Sequence, residues 1–153
     1  YINGRKDGLS TSWYESGKRE SVANYINGEI EGLVTEWYES GKRKRESIYK
    51  NGLEDGPMTT WYESGKRERI MHFKNGSWNG PYTSWYESGK KKSEVPYING
   101  KKEGVLKEWY ESGRKKLLKH FKNGIENGIR KEWDEDGKLT FQGNFVDGVE
   151  EIK

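Results

Sequence analysis

The feature that most constrains this chain is a tryptophan that returns every 24 residues. It stands at 13, 37, 61, 85, 109 and 133, followed by tyrosine five times and by Asp134 at the last. No insertion or deletion breaks the spacing. A second motif keeps step: YINGRKDG from Tyr1, YINGEIEG from Tyr25, YKNGLEDG from Tyr49, FKNGSWNG from Phe73, YINGKKEG from Tyr97 and FKNGIENG from Phe121. A degenerate copy, FVDGVEEI, starts at Phe145. The chain therefore holds six full units and part of a seventh. A fixed period of this length marks stacked supersecondary units that bury one another's faces. It leaves no internal boundary, so residues 1–153 read as a single array. The start at Tyr1 and the lack of a signal-peptide pattern suggest an excerpt of a longer protein, and no compartment is assigned.

Each unit carries two turn signals. Asn-Gly (Asn3-Gly4 and equivalents) is the strongest short hairpin signal, because both central residues of a type I′ turn need positive φ. Glu-Ser-Gly-Lys (Glu15 to Lys18 and equivalents) is the other. The runs between them favour Thr, Trp, Tyr, Val and Ile and show no helical period. The reading is all-β: an elongated single antiparallel meander of about twelve strands, roughly 60 Å long at the usual strand spacing. Composition agrees with a thin fold. Hydrophobic residues make up 30% of the chain, against about 45–50% in ordinary globular domains. The 14% of aromatics argues against disorder. There are no cysteines, which excludes disulfide scaffolds and thiolate metal sites.

Parity sharpens the expectation. A two-residue loop pairs residues i and i+3; a three-residue loop pairs i and i+4. One loop of each kind would put successive tryptophans on opposite faces unless each unit holds one extra, bulged residue. The glycine column Gly8, Gly32, Gly56, Gly80, Gly104 and Gly128 supplies a candidate, since glycine inside a strand often marks a bulge. With the bulge there, Trp13, Trp37, Trp61, Trp85, Trp109 and Trp133 share one face with the Thr11 and Leu9 columns. The aromatic column Tyr1, Tyr25, Tyr49, Phe73, Tyr97, Phe121 and Phe145 joins that face. The spine so formed is the expected core.

Two rows suggest a partner. Tyr14, Tyr38, Tyr62, Tyr86 and Tyr110 should point away from the tryptophans, either to cover backbone or to meet a partner. Lys18, Lys42, Lys66, Lys90 and Arg114 follow the Glu15 column by three residues. They read either as cross-turn ion pairs of small worth or as a basic edge for anionic membrane lipid. The net charge of +3 is weak for a nucleic-acid binder. Open sheet edges could support self-association. No catalytic, cofactor or metal site emerges. A carboxylate row repeated in every unit lacks the two contrasting environments of an acid/base pair. The column Asp7, Glu31, Asp55, Glu103, with Asn79 and Asn127, lacks a calcium-loop spacing. His72 and His120 stand two units apart in one column.

The consensus G-x₄-W-Y-E-S-G-K-x₆-[YF]-x-N-G-x₃-G resembles the MORN repeat, in the variant form common in bacterial proteins. The resemblance rests on Trp13, Tyr14, Gly17, Lys18, Tyr25, Asn27, Gly28 and Gly32, repeated in each unit. The order of motifs departs from the older form, which weakens transfer of lipid binding. The resemblance implies a non-enzymatic scaffold of stacked hairpins presenting an extended face to a protein partner, in some members an antitoxin or immunity component. Peripheral binding to anionic lipid through the lysine edge is the alternative. Stacked Trp/Tyr hairpins are also similar to choline-binding wall repeats, which would imply glycan or choline recognition; the 24-residue period and missing Gly-Trp start separate the two.

Overall fold

The computed structural model describes residues 4–152. Tyr1 of the aromatic column and Asn3 of the first Asn-Gly turn lie outside the described residues. Among the described residues there are seventeen strands and no helix. The fold divides into two compact units, Tyr1–Ser77 and Trp78–Lys153. The division falls inside a repeat. Within each unit the strand pairings are antiparallel.

Both turn types form as their residues dictate. Tyr14 N donates to Lys18 O at 2.8 Å, and Gly17 N to Tyr14 O at 2.9 Å. This is a three-residue loop, with Gly17 at φ +80° in the position that L side chains resist. At the other end, Tyr25 pairs with Ile30 and Ile26 with Glu29, around a two-residue loop. Asn27 and Gly28 have φ of 53° and 93°, the type I′ signature.

The parity-restoring bulge exists, but not in the glycine column. Trp13 pairs with Arg19 while Ser12 pairs with Ser21, so Glu20 is the extra residue. The same slip follows every tryptophan and makes Lys44, Glu68, Lys92, Lys116 and Thr140 the extra residues. The glycine column is irregular in a different way. Ser47 pairs with Met58 and Tyr49 with Glu54. Three residues thus oppose one, and two extra residues leave parity unchanged. Gly56 there sits at φ +132°, and a Cβ on it would come within 3.3 Å of Ile48 Cβ. Glycine is required for the backbone angle and the close approach.

Moving the bulge to the Glu20 column changes which columns share a face. In Tyr1–Ser77, Ser12 pairs with Ser21, Ser21 with Glu36, Glu36 with Arg45 and Arg45 with Thr60. Equivalent residues therefore stack on one side, and Trp13, Trp37 and Trp61 share a face. In Trp78–Lys153 the chain of pairs Ser84, Ser93, Glu108, Leu117 and Glu132 does the same for Trp85, Trp109 and Trp133. The Tyr25 column, however, lies on the opposite side: Tyr25 pairs with Gly8, in step with Ser10 and Ser12 rather than with Thr11 and Trp13. The expectation that the two aromatic columns share a face is corrected accordingly.

The core is corrected with it. The buried apolar residues are Val34, Met58, Met71 and Phe73 in one unit and Val95, Leu106 and Phe145 in the other. All lie on the face of the Tyr25 column, here the tyrosine face. Val34, Ser47, Met58 and Met71 form an unbroken row of direct cross-strand partners, each buried. In the second unit Trp78, Tyr82 and Tyr97 cluster on this face, Trp78 stacking on Tyr82 at 5.8 Å and meeting Tyr97 edge-on at 4.7 Å. By contrast Trp13 is 61% exposed. The other five tandem tryptophans are half-buried. The tryptophans line the fold without forming its core.

Candidate interaction surface

Within each unit three ladders link neighbouring repeats. On the side of the Trp-Tyr motif, Tyr14 donates its hydroxyl to Trp37 O and Tyr38 to Trp61 O, both at 2.6 Å. Tyr86 and Tyr110 do the same to Trp109 O and Trp133 O at 2.8 Å. Tyr62 is half-buried like the rest. The hydroxyls of Tyr14, Tyr38, Tyr86 and Tyr110 are therefore in use inside the sheet, and their half-buried rings lie between repeats. Asp134 departs from the row; its carboxylate accepts from Lys138 N at 2.8 Å and closes its own turn.

On the Asn-Gly side, the acidic column finds its role. Asp7 accepts from Asn27 N at 3.2 Å, Glu31 from Asn51 N at 2.8 Å, Asp55 from Asn75 N at 3.1 Å and Glu103 from Asn123 N at 2.7 Å. Asn79 substitutes its amide oxygen and accepts from Asn99 N at 3.2 Å. Beside each, the turn glycine donates to the preceding repeat, as Gly28 N to Lys6 O and Gly124 N to Lys102 O. Sequence reasoning missed this role. The available signal was that every residue of the column carries a side-chain oxygen that can accept a hydrogen bond.

Charge is arranged differently on the two faces. On the tyrosine face, ions are paired and partly buried. Arg45 reaches Glu36 at 3.0 Å, the Tyr49 hydroxyl at 3.2 Å, and Glu54. Burial pulls its guanidinium down, yet the Tyr49 hydrogen bond and the two carboxylates leave it above its ordinary value. In the second unit Lys119 meets Glu126 at 3.2 Å, and Arg130 meets Glu132 and lies over the Phe141 and Phe145 rings. Burial also pushes the phenols of Tyr14, Tyr86 and Tyr97 up, with nearby carboxylates adding to the rise at Tyr14 and Tyr86.

On the tryptophan face, cations sit over indoles. Arg19 lies 5.4 Å from the Trp37 ring, Lys91 5.4 Å from Trp109 and Lys115 5.8 Å from Trp133. Along the Asn-Gly side of this face, large aliphatic side chains meet water. Leu9 is 73% exposed, Leu33 55% and Ile98 54%. Ile26, Ile48, Ile125 and Ile129 are exposed as well. In Tyr1–Ser77, Leu33 and Ile48 are direct cross-strand partners and so form a continuous apolar pair.

The basic row Lys18, Lys42, Lys66, Lys90 and Arg114 is exposed on the three-residue loops. Among the described residues, none of the ion pairs joins it to the Glu15 column. Lys90 instead donates to Ser112 O at 3.4 Å and Arg114 to Glu135 O at 2.7 Å, across to the next loop. His120 Nδ1 lies 2.7 Å from Ile129 O. Among the described residues no group of three or more His, Cys, Asp or Glu side chains is placed to hold a metal ion.

A family model described as MORN repeat variant matches the chain six times, at residues 6–27, 30–51, 54–75, 78–99, 102–123 and 126–147. Each match opens just after an Asn-Gly pair; the first five close on the Asn of the next one, and the sixth closes on Asp147 of Asp147-Gly148. No curated protein matches the chain.

Proposed function

Because the chain belongs to the MORN repeat variant family, whose repeats build binding scaffolds, we propose that it is a non-enzymatic scaffold offering its tryptophan face to a protein partner. The observation that carries this reading is the asymmetry of the sheet. One face buries its own side chains, while the other leaves Leu9, Leu33 and Trp13 mostly exposed. Apolar side chains held at a water-facing sheet contribute nothing to stability comparable to a core and are the usual mark of an interaction site. The tyrosines Tyr14, Tyr38, Tyr62, Tyr86 and Tyr110 serve the scaffold in this reading, and the loop cations flank the binding face. Residues 1–153 act as a single array. An antitoxin or immunity role is one setting in which such a scaffold would meet a single dedicated partner.

The test is affinity capture with the intact chain beside a variant carrying Leu9→Glu and Leu33→Glu. Both positions are exposed, so the thermal unfolding curve should not move. A protein captured by the parent and lost by the variant supports the reading. Capture that both share equally, or no capture by either, contradicts it.

A second reading has its own observation. Lys18, Lys42, Lys66, Lys90 and Arg114 stay exposed and unpaired with the Glu15 column, which suits anionic lipid. Flotation with phosphatidylserine vesicles separates the two. Binding at low salt that is lost at moderate salt favours lipid; absence of binding at low salt removes it.

A further inference from the structure

The repeat lattice separates residues that the fold needs from residues that it merely allows. One row on the tryptophan face shows the difference. It reads Thr11, Thr35, Thr59 and Thr83 in the first four repeats, then Lys107 and Lys131. Threonine satisfies the lattice four times, so the two lysines answer to something else. They are direct cross-strand partners of the same residue, Leu118, one on each side.

Next to this row, Lys107, Trp109, Lys115, Leu118 and Trp133 line a depression of about 290 Å³. Glu108 and Leu117 complete its lining from the other face, where Glu108 lies 4.0 Å from Lys116. An apolar cavity of roughly 150 Å³ already holds a benzene ring, so this depression admits one large side chain. Lysine predominates on this face. Lys107 and Lys115 line the depression, Lys91 and Lys131 stand on the neighbouring strands, and Lys101 and Lys122 project from the same face of Trp78–Lys153 nearer the Asn-Gly turns. Glu94, which stands among the first of these, is already shared by Lys91 at 2.8 Å and Lys107 at 3.2 Å.

We infer that this face docks an acidic polypeptide segment, which seats an apolar side chain between Trp109 and Trp133 and sets its carboxylates against Lys107, Lys115 and Lys131. The inference rests on the proposal that the chain binds a protein and adds that partner's chemistry. Two observations favour a polypeptide over other anions. Lys91 and Lys115 already lie over one face of Trp109 and of Trp133, so a base stacking on that face would have to displace an ammonium group. A recess the size of one side chain also gives a bilayer nothing to fill. Ammonium groups held over rings lose less freedom on binding than free lysines do.

The test uses the intact chain and a short fluorescein-labelled peptide alternating Glu and Leu, read by anisotropy at low and moderate salt. The comparison is Lys107→Thr with Lys131→Thr, which restores the residue of the first four repeats and so keeps the fold. Affinity should fall about tenfold in the double variant and survive in Lys107→Arg with Lys131→Arg. Equal affinity in parent and threonine variant, or no binding of the peptide at low salt, overturns the inference. Tighter binding of a labelled oligodeoxynucleotide or of phosphatidylserine vesicles overturns it too. The capture experiment with Leu9 and Leu33 does not touch this depression, so the protein-scaffold reading can fail or stand independently.

Discussion

At the scale of single residues, the repeated side chains divide by whether they reach the next repeat. Tyr86 does so through its hydroxyl, 2.8 Å from Trp109 O. Tyr86→Phe keeps the half-buried ring and removes that bond, leaving a carbonyl short of a donor. Chemical denaturation should show a loss of about 1 kcal/mol, and no loss would mean the hydroxyl stitch is ornamental. Glu103 reaches the next repeat at Asn123 N, 2.7 Å away. Since Asn79 already performs this task with an amide oxygen, Glu103→Gln should be nearly neutral. Glu103→Ala should cost about 0.5–1 kcal/mol, because it leaves a turn N–H without its acceptor. If both variants denature alike, the acidic column has no bonding role. Within one repeat the column looked like free carboxylate, since its partner lies twenty residues ahead in a different turn.

At the scale of elements, the turns were legible and the choice of buried face was not. Asn27-Gly28 and Glu15-Ser16-Gly17 announce their loop lengths, because positive φ at fixed positions admits few residues. From those two lengths follows the need for one extra residue per repeat. Its location did not follow. The glycine column attracts attention because glycine marks irregular backbone, and it is irregular, with Gly56 at φ +132°. The parity-changing residue is instead Glu20, Lys44, Glu68, Lys92, Lys116 or Thr140, a set whose variety carries no backbone signature. Placing the slip on the wrong side of Ser12 turns the Tyr25 column onto the wrong face. The core then follows the error. The corrected arrangement has a direct consequence. Leu106→Ala, on the tyrosine face, should cost about 2–5 kcal/mol. Leu33→Ala, on the tryptophan face, should stay within about 0.5 kcal/mol. Urea titrations of the two variants decide it, and a larger loss for Leu33 would restore the tryptophan face as the core. The candidate interaction surface was only partly legible for the same reason. The loop cations could be read directly, whereas the exposed aliphatic patch depends on knowing which side is buried.

At the scale of the whole molecule, stability comes from neighbours, since each hairpin is marginal alone and every ladder runs from one repeat to the next. Deleting residues 102–125 removes one full period and brings equivalent residues back into contact. The shortened chain should unfold cooperatively at a somewhat lower denaturant concentration. Deleting residues 102–124 removes less chain but offsets every later column by one. It should unfold at a clearly lower concentration than the larger deletion; the reverse order would show that the 24-residue register is not what holds the array. The same register leaves the tryptophan face more open to water than the tyrosine face, and the two faces can be compared at adjacent residues. Hydroxyl-radical footprinting of the native chain, read by mass spectrometry, puts that comparison on Leu33 and Val34, which are 55% and 8% exposed. Fast oxidation of Leu33, with Val34, Met58 and Met71 protected until unfolding, is the expected result. Comparable oxidation of Leu33 and Val34, or protection of Leu33 alone, would contradict a fold that buries its tyrosine face and leaves its tryptophan face open to water.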